Sequence, residues 1–191
     1  MRELRYLVFA PLLAVAALVL AGGLAAGPAA AQAIFDGALD GASANPPTAS
    51  TATGATELTI DEDQLVVDFS FSGLTGNSTA AHIHCCATPP SNVGVAVNYL
   101  TFPLGVTSGA YANTFDLGST ATYFAAFVTA NGGTAASAKA ALLAGFAAGR
   151  AYTCVHTTNF GGGEIRSHFG FASFLDGFES GDADDWSDSV P

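Results

Sequence analysis

Leu65-Val66-Val67-Asp68-Phe69-Ser70-Phe71-Ser72 alternates in character with a period of two. Leu65, Val67, Phe69 and Phe71 share one side of an extended chain, and Val66, Asp68, Ser70 and Ser72 share the other, because successive side chains of a strand point to opposite faces. This is a strand with one dry and one wet face, the pattern of an antiparallel sheet. Just upstream, Thr56, Leu58 and Ile60 alternate with Glu57, Thr59 and Asp61. The turn Asp61-Glu62-Asp63-Gln64 joins the two runs into a hairpin. It lacks the glycine and spaced ligands of a calcium loop and reads as a solvated turn.

Outward from the hairpin, the same reasoning organises the rest. Ile34 to Ser43 reads as a strand with Phe35 inward, stopped by Asn45-Pro46-Pro47 because proline lacks the donor a ladder needs. After the loop Gly73 to Ser78, the stretch Ala80 to Cys86 is extended. Gly94 to Leu100 and Ala110 to Leu117 follow as strands, the latter with Tyr111, Asn113 and Phe115 on one face. Ala136, Ala140, Leu143 and Ala147 recur at helical spacing, so one helix is expected over Ala135–Ala148, with Thr134 as cap and Gly149 as stop. A strand around Tyr152 to Thr158, a loop from Asn159 to Gly163 and a last strand from Glu164 to Phe171 complete the domain. Many short strands, turns rich in Gly and Pro, and one short helix imply an all-β, mainly antiparallel sandwich or barrel.

Half of the 191 residues are hydrophobic, ample for one core, but part of that share belongs to the N-terminus. Arg2 and Arg5 precede an apolar run from Tyr6 to Ala26, and small residues follow from Gly27 to Ala33. That order reads as a cleaved secretory signal over residues 1–33, with cleavage after Ala31 or Ala33. The domain then spans 34–171, and 172–191 is an acidic tail whose composition predicts disorder. Beyond the signal the only basic side chains are Lys139, Arg150 and Arg166, whereas Glu3 alone of the 16 Asp and Glu residues lies within it. Such a surface repels nucleic acid and anionic lipid, so neither is an expected partner, and no membrane association is expected once the signal is cleaved. Three cysteines in a secreted chain imply an oxidising compartment and one thiol left over.

Chemistry concentrates in two stretches, Ala80-Ala81-His82-Ile83-His84-Cys85-Cys86 and Tyr152-Thr153-Cys154-Val155-His156-Thr157-Thr158. They hold three of the four histidines and all three cysteines. Alternation puts His82, His84 and Cys86 on one face of the first, and Tyr152, Cys154 and His156 on one face of the second. If the two strands meet, His82, His84 and His156 can hold one ion, with Cys154 as a further donor. Three imidazoles on a rigid sheet suit copper or zinc with an open position. The bland alternative is two hydrogen-bonded polar strands and small buried thiols. Convergence would favour a Cys86–Cys154 or Cys85–Cys154 bridge over a vicinal Cys85–Cys86 pair.

Four blocks carry a family resemblance: Ala81-His82-Ile83-His84, Thr107-Ser108-Gly109-Ala110-Tyr111, Tyr152 to Thr157, and Gly163-Glu164-Ile165-Arg166. In this order and spacing, over Gly37 to Phe171, the chain resembles the CHRD (chordin) domain family of secreted proteins, bacterial members included. The resemblance implies an immunoglobulin-like or Greek-key β-sandwich in an extracellular, periplasmic or cell-surface protein. It also implies a non-catalytic binding or structural role toward an extracellular protein or surface partner. Relatives commonly carry Asn where Cys154 stands, and Gly where Ser167 stands. They also keep an adjacent pair like Cys85-Cys86, which speaks for a vicinal bond and a free Cys154. Glu164 and Arg166 belong to the family motif, and a partnership of Arg166 with Glu164 or an Asp is expected.

His-x-His on one strand with a later strand histidine is also similar to the copper site of Cu,Zn superoxide dismutase. No histidine lies between His84 and His156, however, so that enzyme's bridging and zinc ligands are missing. At most one Cu, Zn or Mn ion is supported, and His168 is the poorest candidate ligand of the four histidines.

Overall fold

The computed structural model describes residues 32–175; the expected leader up to residue 31 and the acidic tail beyond Leu175 lie outside them. Nine strands are described: β1 (Gln32–Asp40), β2 (Thr53–Asp61), β3 (Gln64–Ser72), β4 (Ser78–His84), β5 (Val95–Asn98), β6 (Gly109–Asp116), β7 (Tyr152–Thr157), β8 (Ile165–His168) and β9 (Gly170–Leu175). Between β6 and β7 come a 3-10 turn (Thr120–Thr122), α1 (Ala125–Ala130) and α2 (Ala135–Ala147). The strands form one curled sheet in the order β5-β4-β7-β8-β1-β2-β3-β6, with β9 also paired to β1. Every pairing is antiparallel.

Period-two alternation builds the core. In β3, Leu65, Val67, Phe69 and Phe71 are buried while Asp68, Ser70 and Ser72 are exposed. The β2–β3 register runs unbroken from Thr53↔Ser72 to Asp61↔Gln64. The acidic turn closing this hairpin is tied to α2, since Lys139 Nζ donates to Glu62 O and to Asp63 Oδ1, both at 2.6 Å. Phe69, Phe71, Phe102, Tyr99 and Tyr111 form a ring cluster, with Phe71–Phe102 and Tyr99–Tyr111 centroids each 5.2 Å apart. Tyr99 and Phe102 follow β5 and Tyr111 lies on β6, so these rings draw the two ends of the sheet together. The segment after β6 completes the closure through the Val97↔Tyr123 bridge and a bond from Phe124 N to Ala96 O.

The expected helix is α2. Thr134 Oγ1 accepts from Ser137 N at 3.1 Å, satisfying an otherwise orphaned donor at its start. Gly149 ends it with a φ of 62°, which lets Arg150 N reach Gly145 O and Gly149 N reach Phe146 O. Phe146 packs on Phe35 and Phe169 at 5.3 and 5.2 Å, fixing the helix to the sheet.

Two expectations are corrected. A second short helix, α1, precedes α2, because Ala125–Ala130 offers too few turns for a periodic signal. The last strand is not continuous: it breaks at Phe169 into β8 and β9, and β9 runs on to Leu175 against β1. β7 lies between β4 and β8, and all its residues but His156 are buried.

Candidate functional site

Register decides what meets on β4, β7 and β8. His82 lies opposite Cys154, His84 opposite Tyr152 and Ala80 opposite His156. Cys154 in turn faces Arg166, and Tyr152 faces His168. Residues directly opposite share a face, so His82, Cys154 and Arg166 make one row and His84, Tyr152 and His168 the next. Alternation sends Ala81, Ile83, Thr153, Val155 and Ile165, all buried, to the other face. The apolar residues between the histidines thus anchor the strands while the imidazoles gather on the side away from the core.

One nitrogen from each of His82, His84 and His156 lies within 4.8 Å of the others. Ring centroids are 5.0 Å apart for His82–His156, 5.6 Å for His82–His84 and 5.9 Å for His84–His156. Cys154 Sγ sits between two of them, 3.1 Å from His156 Nε2 and 3.4 Å from His84 Nε2. The far nitrogens are held by backbone: His84 Nδ1 donates to Val93 O at 2.8 Å and His156 Nδ1 to Gly161 O at 2.9 Å. A carbonyl can only accept, so each ring carries its proton on Nδ1 and turns an Nε2 lone pair toward Cys154. His82 Nδ1 is buried and has no hydrogen-bond partner.

Electrostatics keeps the imidazoles of His82 and His84 neutral. Burial, then charge on His156 and His84, lowers the His82 pKa to about 4. Burial also lowers His84 to about 4; the Val93 carbonyl opposes this, and His156 and Arg166 reinforce it. Burial pushes the Cys154 thiol up to about 12, against the pull of Arg166. At neutral pH His82 and His84 therefore offer free nitrogen lone pairs beside a protonated thiol, and a metal that binds the sulfur must displace its proton.

The surroundings are rigid. The His84 ring stacks on Tyr152 at 4.7 Å with planes 5° apart, and the Arg166 guanidinium lies 3.8 Å from the Tyr152 ring centre. Arg166 donates to Pro90 O and to Asn92 Oδ1, while Asn92 Nδ2 donates to Asn45 O at 2.9 Å. The loop between β4 and β5 is pinned over the histidine face by these bonds. The expected pairing of Arg166 with Glu164 or an Asp is therefore corrected: its partners are a carbonyl, an amide and an aromatic ring. Glu164 is fully buried and accepts from Ser50 Oγ, Thr75 N and Thr157 Oγ1, each at 2.7 Å. Burial raises its pKa, but those hydrogen bonds outweigh burial and hold the carboxyl below its usual value. Its role is to staple loops to β7. His168 lies beside Tyr152 at 5.3 Å and stands outside the cluster of three.

The cysteine expectation is also corrected. Cys85 and Cys86 form an adjacent pair, sulfur against sulfur, and Cys154 is free and buried. β4 ends at His84, after a register shift between Ile83 and His84. Alternation consequently stops before it can place Cys86 on the histidine face. Cys86 turns toward α2 instead, with its sulfur 3.5 Å from Ala141 O. There Gly145 is the residue that leaves room, since a Cβ at 145 would collide with both sulfurs.

The CHRD domain profile matches residues 35–169, most of the chain and all of the histidine face. The chain belongs to the CHRD family. No curated protein and no solved structure matches it. The CHRD match begins inside β1 and ends just after β8, so β9 lies beyond it. Tyr152 as a stacking platform, and the loop bearing Asn92, are parts of this CHRD site that sequence reasoning missed. Tyr152 was visible on the His156 face, whereas the turn cluster Thr88 to Asn92 carried no local sign that it packs over the histidines.

Proposed function

We propose that this CHRD protein is a secreted, non-catalytic module that holds one copper or zinc ion through His82, His84 and His156. The observation carrying the reading is the convergence of three imidazoles, two of them with a ring nitrogen held by a backbone carbonyl. Metal-binding histidines characteristically donate the second ring nitrogen to such an acceptor. The unpartnered His82 nitrogen supports it further, because a buried polar group without a partner is costly unless a ligand completes it. An ion bound by all three draws their nitrogens to about 3.3 Å from one another, from metal–nitrogen bonds of about 2.0 Å.

Secretion is part of the proposal. It rests on the basic-then-apolar leader, the acidic remainder and the adjacent cysteine pair, which closes as a vicinal disulfide in an oxidising compartment. No helix of the described residues is long and apolar enough to cross a membrane. The periplasm, cell surface or medium is the proposed location, with an extracellular protein or surface as partner.

The test is elemental analysis of the purified mature protein after loading with Cu(II) or Zn(II) and desalting. One ion per chain is expected, and a His82→Ala/His84→Ala/His156→Ala variant should retain none. Equal metal in both proteins would sink the reading.

A further inference from the structure

We propose that Cys154 is the fourth ligand of this centre, making it a closed copper site that carries one electron rather than an open site that binds a substrate. The inference rests on the three-histidine reading and adds the sulfur, the identity of the metal and the kind of chemistry. Distances come first. An ion with metal–nitrogen bonds of about 2.0 Å and metal–sulfur bonds of about 2.3 Å separates tetrahedral N and S ligands by about 3.5 Å. Cys154 Sγ already lies 3.1 and 3.4 Å from the Nε2 atoms of His156 and His84. The thiol thus stands at ligand-to-ligand spacing from two imidazoles whose lone pairs face it.

Cys154 is 2 % exposed and unpaired, while the other two cysteines take each other. Its side chain is turned away from the apolar core into the histidine face. A buried thiol with no role beyond packing would be expected among aliphatic groups. Here its close polar contacts are ring nitrogens, and its cross-strand neighbour is Arg166.

The donor set then selects the metal and the chemistry. Three imidazoles and one thiolate fill four positions, so no protein-free position remains for a substrate or for the water that catalytic sites keep. Mixed imidazole and thiolate ligation on a rigid frame is the ligand class of copper electron-transfer centres, and copper heads the affinity order of divalent ions. The frame is rigid: His84 is stacked on Tyr152, and backbone carbonyls hold His84 and His156. In the cycle, Cu(II) takes one electron from a one-electron donor, such as a small enediol reductant or a reduced haem protein, and becomes Cu(I). An oxidant of the ferric class removes that electron again. No bond to the protein forms or breaks. His82 and His156 are only partly buried and form the edge through which the electron passes.

Spectroscopy of the full mature chain tests this, with wild type compared with Cys154→Ser. Titrated with Cu(II), wild type should develop an intense visible sulfur-to-copper band that saturates at one copper per chain. Ascorbate should bleach the band and ferricyanide restore it over repeated cycles. Co(II), which does not oxidise thiols, should give the corresponding intense near-ultraviolet thiolate absorption. Cys154→Ser should still bind one copper through the histidines but lose both sulfur bands. Added azide should shift the copper spectrum of the variant alone, because only there is a position open. Copper bound to wild type with the variant's weak spectrum, and no thiolate absorption with Co(II), would overturn the assignment of Cys154 while leaving the three-histidine site standing. Failure of wild type to bind more metal than the triple-alanine variant would instead remove the site itself.

Discussion

Acidifying the metal-free protein from pH 7 to pH 4 should remove about 3 kcal/mol of stability through His84, since each pKa unit is worth about 1.4 kcal/mol and its pKa falls from 6.5 to about 4 on folding. Burial is the first cause; charge on His156 and Arg166 adds to it, and the Val93 carbonyl opposes it. A depressed folded pKa means that the unfolded chain takes up the proton first. The contribution is therefore fully present above pH 6.5 and is lost progressively as pH falls toward 4. His82 acts in the same direction, lowered to about 4 by burial and then by His156 and His84. Water screens it more, and each imidazole counts the repulsion of the others, so the two contributions do not simply add. The assay is urea unfolding with a chelator present, from pH 7.5 to pH 4, on wild type and His84→Asn. The asparagine amide keeps a donor toward Val93 O and does not titrate. Carboxylates and His168 act alike in both proteins and cancel in the difference. Wild type should lose about 3 kcal/mol more than the variant, most steeply between pH 6.5 and 4. Parallel stability curves would refute the burial of the His84 imidazole on which the depressed pKa rests.

Two further outcomes are expected. Glu164→Gln replaces a buried acceptor oxygen by a donor facing other donors, so the denaturation midpoint should drop by an amount equivalent to about 2–3 kcal/mol; an unchanged midpoint would show that Ser50, Thr75 and Thr157 are satisfied without it. Thiol titration of the unreduced, denatured mature protein should find one reactive thiol, Cys154, and three after reduction. Three before reduction would show that the adjacent pair is open, and peptide mapping that links residue 154 to residue 85 or 86 would restore the inter-strand bridge.

Which side chains face inward was legible locally. Covalent geometry alone sends alternate strand residues to opposite faces, so Leu65, Val67, Phe69 and Phe71 announced the core without reference to any partner. The same is true of α2, whose cap at Thr134 and stop at Gly149 are short-range hydrogen-bond and backbone effects. The sharing of one face by His82 and His84, and by Cys154 and His156, followed from that alternation too.

Tertiary structure alone decided which strands became neighbours. β4 pairs with β7 across a long chain separation, in a sheet whose order is not the order of the sequence. No local pattern sets that register, yet a slip of one residue would carry every histidine to the opposite face. The partners of Arg166 came from a loop that packs over the face, which is why a search for nearby acids misassigned them. Cysteine pairing escaped for a related reason. Alternation holds only while the chain stays extended, and β4 ends at His84. Beyond that point the close approach of α2 at Gly145, a contact between distant segments, governs where Cys85 and Cys86 sit, and leaves Cys154 alone among the imidazoles.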